Sequence, residues 1–264
     1  MNHAFRSPSD NASSFAPRIH VSRDAVTFRA THSRFRSMSD DDLFCAAQRG
    51  DLDALRRLLQ QLLRENAPPS VFDSAMKVAI WNGHADIVRE IVRLVPECET
   101  WARHLIRAAR LGSTAAAQVL LQCCRGVLAE NSEICKSALV CAAKDGNAAT
   151  VALLIPHVTS VHVRAFALHK AAAAGCACNV RALILCRVDV NLPSWSSHST
   201  ALHSAARSGQ TKVLKQLLHF KADIHSRTAF GHTTALELAA EEGHVAAAAV
   251  LRRRGNSLSV SLAP

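Results

Sequence analysis

The sequence predicts an all-α fold, a solenoid of antiparallel helix pairs stacked side by side. Three observations point there. A small-residue motif, Ala-Ala-x-x-Gly or a close variant, recurs seven times along the 264 residues. Apolar pairs at helical spacing follow most of its glycines. Composition agrees: 49% of residues are apolar but only 5% are aromatic, and Tyr is absent. Closely packed helices use small and aliphatic side chains in this way.

The motif stands at Ala46-Ala47, Ala79-Ile80, Ala108-Ala109, Ala142-Ala143, Ala171-Ala172, Ala205-Ala206 and Ala239-Ala240. The paired glycines are Gly50, Gly83, Gly112, Gly146, Gly175, Gly209 and Gly243, separated by 33, 29, 34, 29, 34 and 34 residues. Small pairs let the first helix of one unit sit close against the next. Glycine then ends that helix in a left-handed turn, which other residues adopt only at a cost. A second helix runs back, as Ile87, Val88, Ile91 and Val92 show after Gly83. One helix pair cannot bury its apolar face, but stacked neighbours can.

The clearest unit is Thr200-Ala201-Leu202-His203-Ser204-Ala205-Ala206, then Gly209 and the stripe Val213, Leu214, Leu217 and Leu218, then Lys221-Ala222-Asp223. This resembles an ankyrin repeat, whose period is about 33 residues. About seven such repeats are implied over residues 39–255, several of them degenerate. The resemblance implies that the first helices line a concave groove. His169 and His203 then take the Leu-His position, where the ring hydrogen-bonds between repeats, and His84 and His244 are further structural histidines after the glycine.

In chain order, residues 1–38 are rich in Ser, Arg, Asn and Pro and poor in aliphatics. Too little surface can be buried there to order the chain. A mitochondrial transit peptide is the other reading, opposed by Asp10 and Asp24 and by the lack of an amphipathic helix. Repeat one opens on Ser39-Asp40-Asp41-Asp42, acidic residues suited to a helix N-terminus. Its second helix carries Leu52, Leu55, Leu58, Leu59 and Leu62 and ends by Pro68-Pro69. Repeats two to four lose the Thr-Pro-Leu-His signature and the Gly-Ala-Asp turn of the family, so hairpin fingers are short or missing there. Repeat five regains Leu168-His169 and departs at Asn179, where an aliphatic is expected. Repeat seven ends at Arg252-Arg253-Arg254-Gly255, a basic helix C-terminus with a glycine stop. Residues 256–264 are expected to form a flexible tail.

Net charge is +10 and uneven. Residues 40–99 sum to −4 and residues 231–250 to −3, whereas residues 100–230 carry 15 basic and 5 acidic side chains. Positions five and two before each glycine are expected to face the groove. At minus five stand Cys45, Val78, Arg107, Cys141, Lys170, Ser204 and Leu238; at minus two stand Gln48, Trp81, Arg110, Lys144, Ala173, Arg207 and Glu241. Arg107, Arg110, Lys144, Lys170 and Arg207 thus form a basic strip, with Trp81 at one end as an interface anchor. Solvated charge with no partner is the plain alternative.

The resemblance and the strip together imply a non-catalytic adaptor or scaffold for another protein with an acidic surface. Nucleic-acid binding is the second reading, weakened by the scarcity of aromatics for stacking. No phosphate-cradling glycine loop or nucleotide fingerprint occurs. Cys123-Cys124 and Cys176-Ala177-Cys178 lack the paired spacing of a zinc site, and no motif orders a Cys–His nucleophile. No cofactor and no small-molecule substrate are expected. No apolar run approaches the roughly 18 residues of a membrane helix. Nine Cys in an odd, unpatterned set point to a reducing compartment; the cytoplasm is the expectation, with mitochondrion and nucleus as alternatives.

Overall fold

The computed structural model describes residues 42–260, apart from 66, 68–69, 96–99, 124–131, 146, 195–197 and 230. The segment 1–38, most of the Ser39–Asp42 run, Pro68, Pro69, Gly146, Trp195 and the end of the tail lie outside the described residues.

Helices come in pairs. The first pair is α1 (42–49) and α2 (Leu52–Arg64). Then follow α3 (Ser70–Asn82) with α4 (Ala85–Leu94), and α5 (Thr100–Leu111) with α6 (Thr114–Cys123). The fourth pair is α7 (Ser132–Asp145) with α8 (Ala148–Leu154), which closes on a 3-10 turn at Ile155–His157. The last three are α9 (Val161–Ala174) with α10 (Ala177–Leu185), α11 (Ala201–Arg207) with α12 (Thr211–His219), and α13 (Ala235–Glu241) with α14 (Val245–Val260). First helices α3, α5, α7, α9, α11 and α13 pack in one row and second helices α2 to α14 in another. No strand occurs among the described residues. The architecture is an all-α solenoid.

The motif explains the stacking. Ala108, Ala109, Ala142, Ala143, Ala171, Ala172, Ala205 and Ala206 are fully buried between first helices. Gly209 has φ +67°, and a Cβ built there would lie 2.8 Å from Nδ1 of His244. Both its left-handed turn and the close ring require glycine at this point. Helix starts are capped by side chains: Asp51 accepts from the Ala54 N–H at 2.9 Å, and Asn147 from the Thr150 N–H at 2.8 Å. Thr234 and Glu237 form a reciprocal capping box.

Long connections appear in the C-terminal half. Residues 186–200 and 220–234 make long connections, whereas residues 158–160 alone join the fourth pair to the fifth. The two long connections touch, with the Asp223 N–H donating to Oδ1 of Asn191 at 2.8 Å. In repeats two to five the first helix itself reaches further back. These extensions add large core residues: Phe72 and Met76 in α3 and Trp101 in α5 are buried. The Trp101 indole N–H donates to the Val95 carbonyl at 2.6 Å.

Two local expectations differ. Helix α14 continues through Gly255 to Val260, because glycine permits a left-handed stop without imposing one. Asn179 is buried and donates to the Ala142 and Ala143 carbonyls instead of merely weakening an apolar stripe.

Candidate functional site

Helix geometry sends the Ala pair inward and positions minus five and minus two outward. The structure places Trp81 73% exposed at the end of α3. Arg107 is half-buried, while Arg110, Lys144, Lys170 and Arg207 are exposed. These side chains stand on α5, α7, α9 and α11, which are successive members of the first-helix row. Leu238 is the exception to the expected register, buried at 5% exposure in α13. Glu241 at minus two of α13 is exposed, so the basic strip ends against a carboxylate.

The backbone beneath the strip is pinned from the following repeat. His84 Nε2 lies 3.3 Å from the Gln48 carbonyl, and His244 Nε2 lies 2.9 Å from the Arg207 carbonyl. Gln210 donates to the Ala173 carbonyl at 3.3 Å, and the Cys176 thiol donates to the Lys144 carbonyl at 3.2 Å. In all four, the residue after one glycine holds the minus-two carbonyl of the repeat before it. A helix C-terminus leaves such carbonyls without intrahelical partners, so the cap serves stability and fixes the outward side chain together.

Elsewhere, Glu90 and Asp73 are matched by cations. Glu90 is buried and bound by Arg56 at 3.2 Å and Arg93 at 3.1 Å. Burial opposes ionisation there, but the two guanidiniums win and hold the carboxyl below its usual range. Asp73 binds Lys77 and, at 2.7 Å, His104. Burial pushes the His104 imidazole down despite Asp73, with Arg107 and Lys77 adding to the fall. Among the described residues, Arg107, Arg110, Lys144, Lys170 and Arg207 pair with no carboxylate. Cys141 lies in reach of Arg110 and Lys144; burial nonetheless pushes its thiol up, with Asp145 adding.

Phe166 belongs to this surface and is not evident from the motif. It is 44% exposed, with Nζ of Lys170 above its ring at 4.9 Å. Its position, nine before Gly175, continues the minus-two and minus-five stripe one turn back. Only the length of α9 reveals that this turn is helical.

The histidines at the Leu-His position are structural. His203 Nδ1 accepts from the Thr200 N–H at 3.2 Å, so Nε2 carries the proton and donates to the Ser226 carbonyl at 3.1 Å. His169 Nε2 pairs with the Leu192 carbonyl at 3.2 Å. Burial holds both imidazoles below their ordinary range. Among the described residues, no group of three or more His, Cys, Asp or Glu side chains is placed to hold a metal ion. Cys124 lies outside the described residues.

Residues 168–260 match the model of the ankyrin-repeat family in three copies. These residues are ankyrin repeats. No curated protein matches it. The matched residues cover repeats five to seven, with the Leu-His signature in repeats five and six and long connections after the fifth and sixth helix pairs. Four similar helix pairs precede them and keep the small buried residues between first helices. Ankyrin repeats are protein–protein interaction modules.

Proposed function

We propose that this chain is a non-catalytic adaptor that holds an acidic protein partner on its first-helix row. One observation carries this reading: five basic side chains without carboxylate partners share a face, in consecutive repeats, with the exposed Trp81 and Phe166. Solenoid surfaces are rigid and extended, and a few anchors supply most of the affinity. Trp81 is the anchor at the N-terminal end and Phe166 with Lys170 the one in the middle. The cations steer an acidic partner and fix its register. Among the described residues no helix is long and apolar enough to cross a membrane. The cysteine content, with the seven described thiols all free, favours the cytoplasm as the site of action.

The test is affinity capture from native lysate with wild type beside Arg107→Glu/Arg110→Glu/Lys144→Glu, each checked for fold by circular dichroism. A partner captured by wild type and lost by the folded variant supports the reading. Equal capture by both removes the strip as the binding surface. Capture of nuclease-sensitive RNA alone, with a steep loss on adding salt, would assign the surface to nucleic acid instead.

A further inference from the structure

A second basic surface lies on the other row. Two neighbouring grooves, of about 600 Å³ and about 620 Å³, run between α12 and α14 and between α10 and α12. Arg181, Lys212, Lys215 and Arg253 rim them, all exposed. Leu218 and Val250 floor one groove, and Leu185, 65% exposed, borders the other. Helices α10, α12 and α14 contain no Asp or Glu, so no carboxylate on these helices balances the rim.

We propose that these grooves dock an acidic amphipathic segment of a partner protein, independently of the first-helix strip. Two features select that occupant. The floor is aliphatic and demands apolar side chains, as helix-in-groove recognition does. The rim demands carboxylates spread along a line, because its cations are distributed over three helices and do not converge on one point. A nucleic-acid strand fits less well: bases stack on exposed aromatics, and the one aromatic other than His219 along these grooves, Phe220, is half-buried. The chain's own N-terminal segment is excluded by charge, since residues 1–37 hold six Arg against two Asp. With the strip on one row and these grooves on the other, two acidic ligands are held at once.

The experiment uses the full chain and a fluorescent peptide of glutamate and leucine, spaced to give one acidic and one apolar helical face, with a photoreactive leucine analogue in the apolar face. Cross-links mapped by mass spectrometry are expected on α10, α12 and α14. Arg181→Glu/Lys215→Glu/Arg253→Glu, whose sites are exposed and leave the core intact, is expected to weaken binding by about tenfold or more. Leu185→Ser weakens it through the apolar half, and Arg110→Glu/Lys144→Glu leaves the cross-links in place. Cross-links confined to the first helices, or undiminished binding by the folded triple variant, overturn the proposal. So does displacement of the peptide by single-stranded DNA at lower concentration than by the unlabelled peptide. A dimer of the chain that the triple variant dissolves would give the surface to a second copy, and overturns it as well.

Discussion

Replacing Asn179 by leucine separates what the repeat pattern says from what the structure says. Pattern alone favours the change, because an aliphatic belongs at this place in the second helix. The structure opposes it. Asn179 is 2% exposed, and its amide donates to the Ala142 carbonyl at 3.2 Å and the Ala143 carbonyl at 2.9 Å. Those carbonyls belong to the last turn of α7, and both alanines are fully buried. Leucine has nearly the shape of asparagine, so little cavity or overpacking confuses the result. Losing each hydrogen bond at a buried carbonyl costs about 1–3 kcal/mol, while burying the leucine side chain returns about 1.5–3 kcal/mol. The net expectation is a loss of about 2 kcal/mol, or a Tm lower by about 4–8 °C for a chain of this size. Urea and thermal unfolding followed by circular dichroism measure the loss. Hydrogen exchange should show it concentrated at the end of α7, because a stack is stabilised by nearest-neighbour interfaces. A leucine variant as stable as wild type, or more stable, refutes the capping account.

Further expectations follow from the same geometry. Arg187 and Lys221 both sit at φ +62°, in the left-handed region, where the family places glycine. Arg187→Gly and Lys221→Gly should each raise stability by about 0.5–1 kcal/mol, read as a higher urea midpoint; no gain in either would deny the strain. Burial depresses the folded-state pKa of His203 and His169, so in this range the unfolded chain takes up protons first. Stability should therefore hold above about pH 6.5 and fall as pH drops below it. His203→Gln should flatten that dependence in denaturation curves taken across the range. Glu90→Ala strands Arg56 and Arg93 beside a buried site and should cost about 2–3 kcal/mol, softened by the exposed arginines; a smaller loss than for Asp86→Ala would contradict the pairing. Trp81→Ala should change stability by less than about 0.5 kcal/mol, because the ring is 73% exposed, yet reduce partner capture.

Most of the fold was legible because its rule repeats. Small pairs before a glycine dictate close helix contact and a left-handed turn, and seven occurrences at near-constant spacing leave no other architecture. The short connection at 158–160 was legible from the 29-residue step in which it falls. The extended first helices were not. Trp101 and Phe72 become core only because α5 and α3 begin earlier than α11 and α13, and no periodic signal in repeats two and three separates an extended helix from a loop of the same length. Gly255 misled for the converse reason. A glycine stop depends on what the following residues pack against, which its identity does not encode.

The outward register was legible for the same reason as the fold: a buried pair at minus four and minus three forces minus five and minus two outward. Its precision comes from contacts across repeats. In four repeats the residue after the glycine holds the minus-two carbonyl of the repeat before it through His, Gln or Cys, so chemistry at that position varies while geometry persists. Side chains at minus two are free to change without loss of the stack, since they point outward, and at Gln48, Lys144, Ala173 and Arg207 the backbone is held by a neighbour. Gln48, Trp81, Arg110, Lys144, Ala173, Arg207 and Glu241 differ in charge and size on one scaffold position. Packing does not choose among them. The run of four cations between Trp81 and Glu241, counting Lys170 at minus five beside Ala173, is where selection for a ligand can act without touching the core.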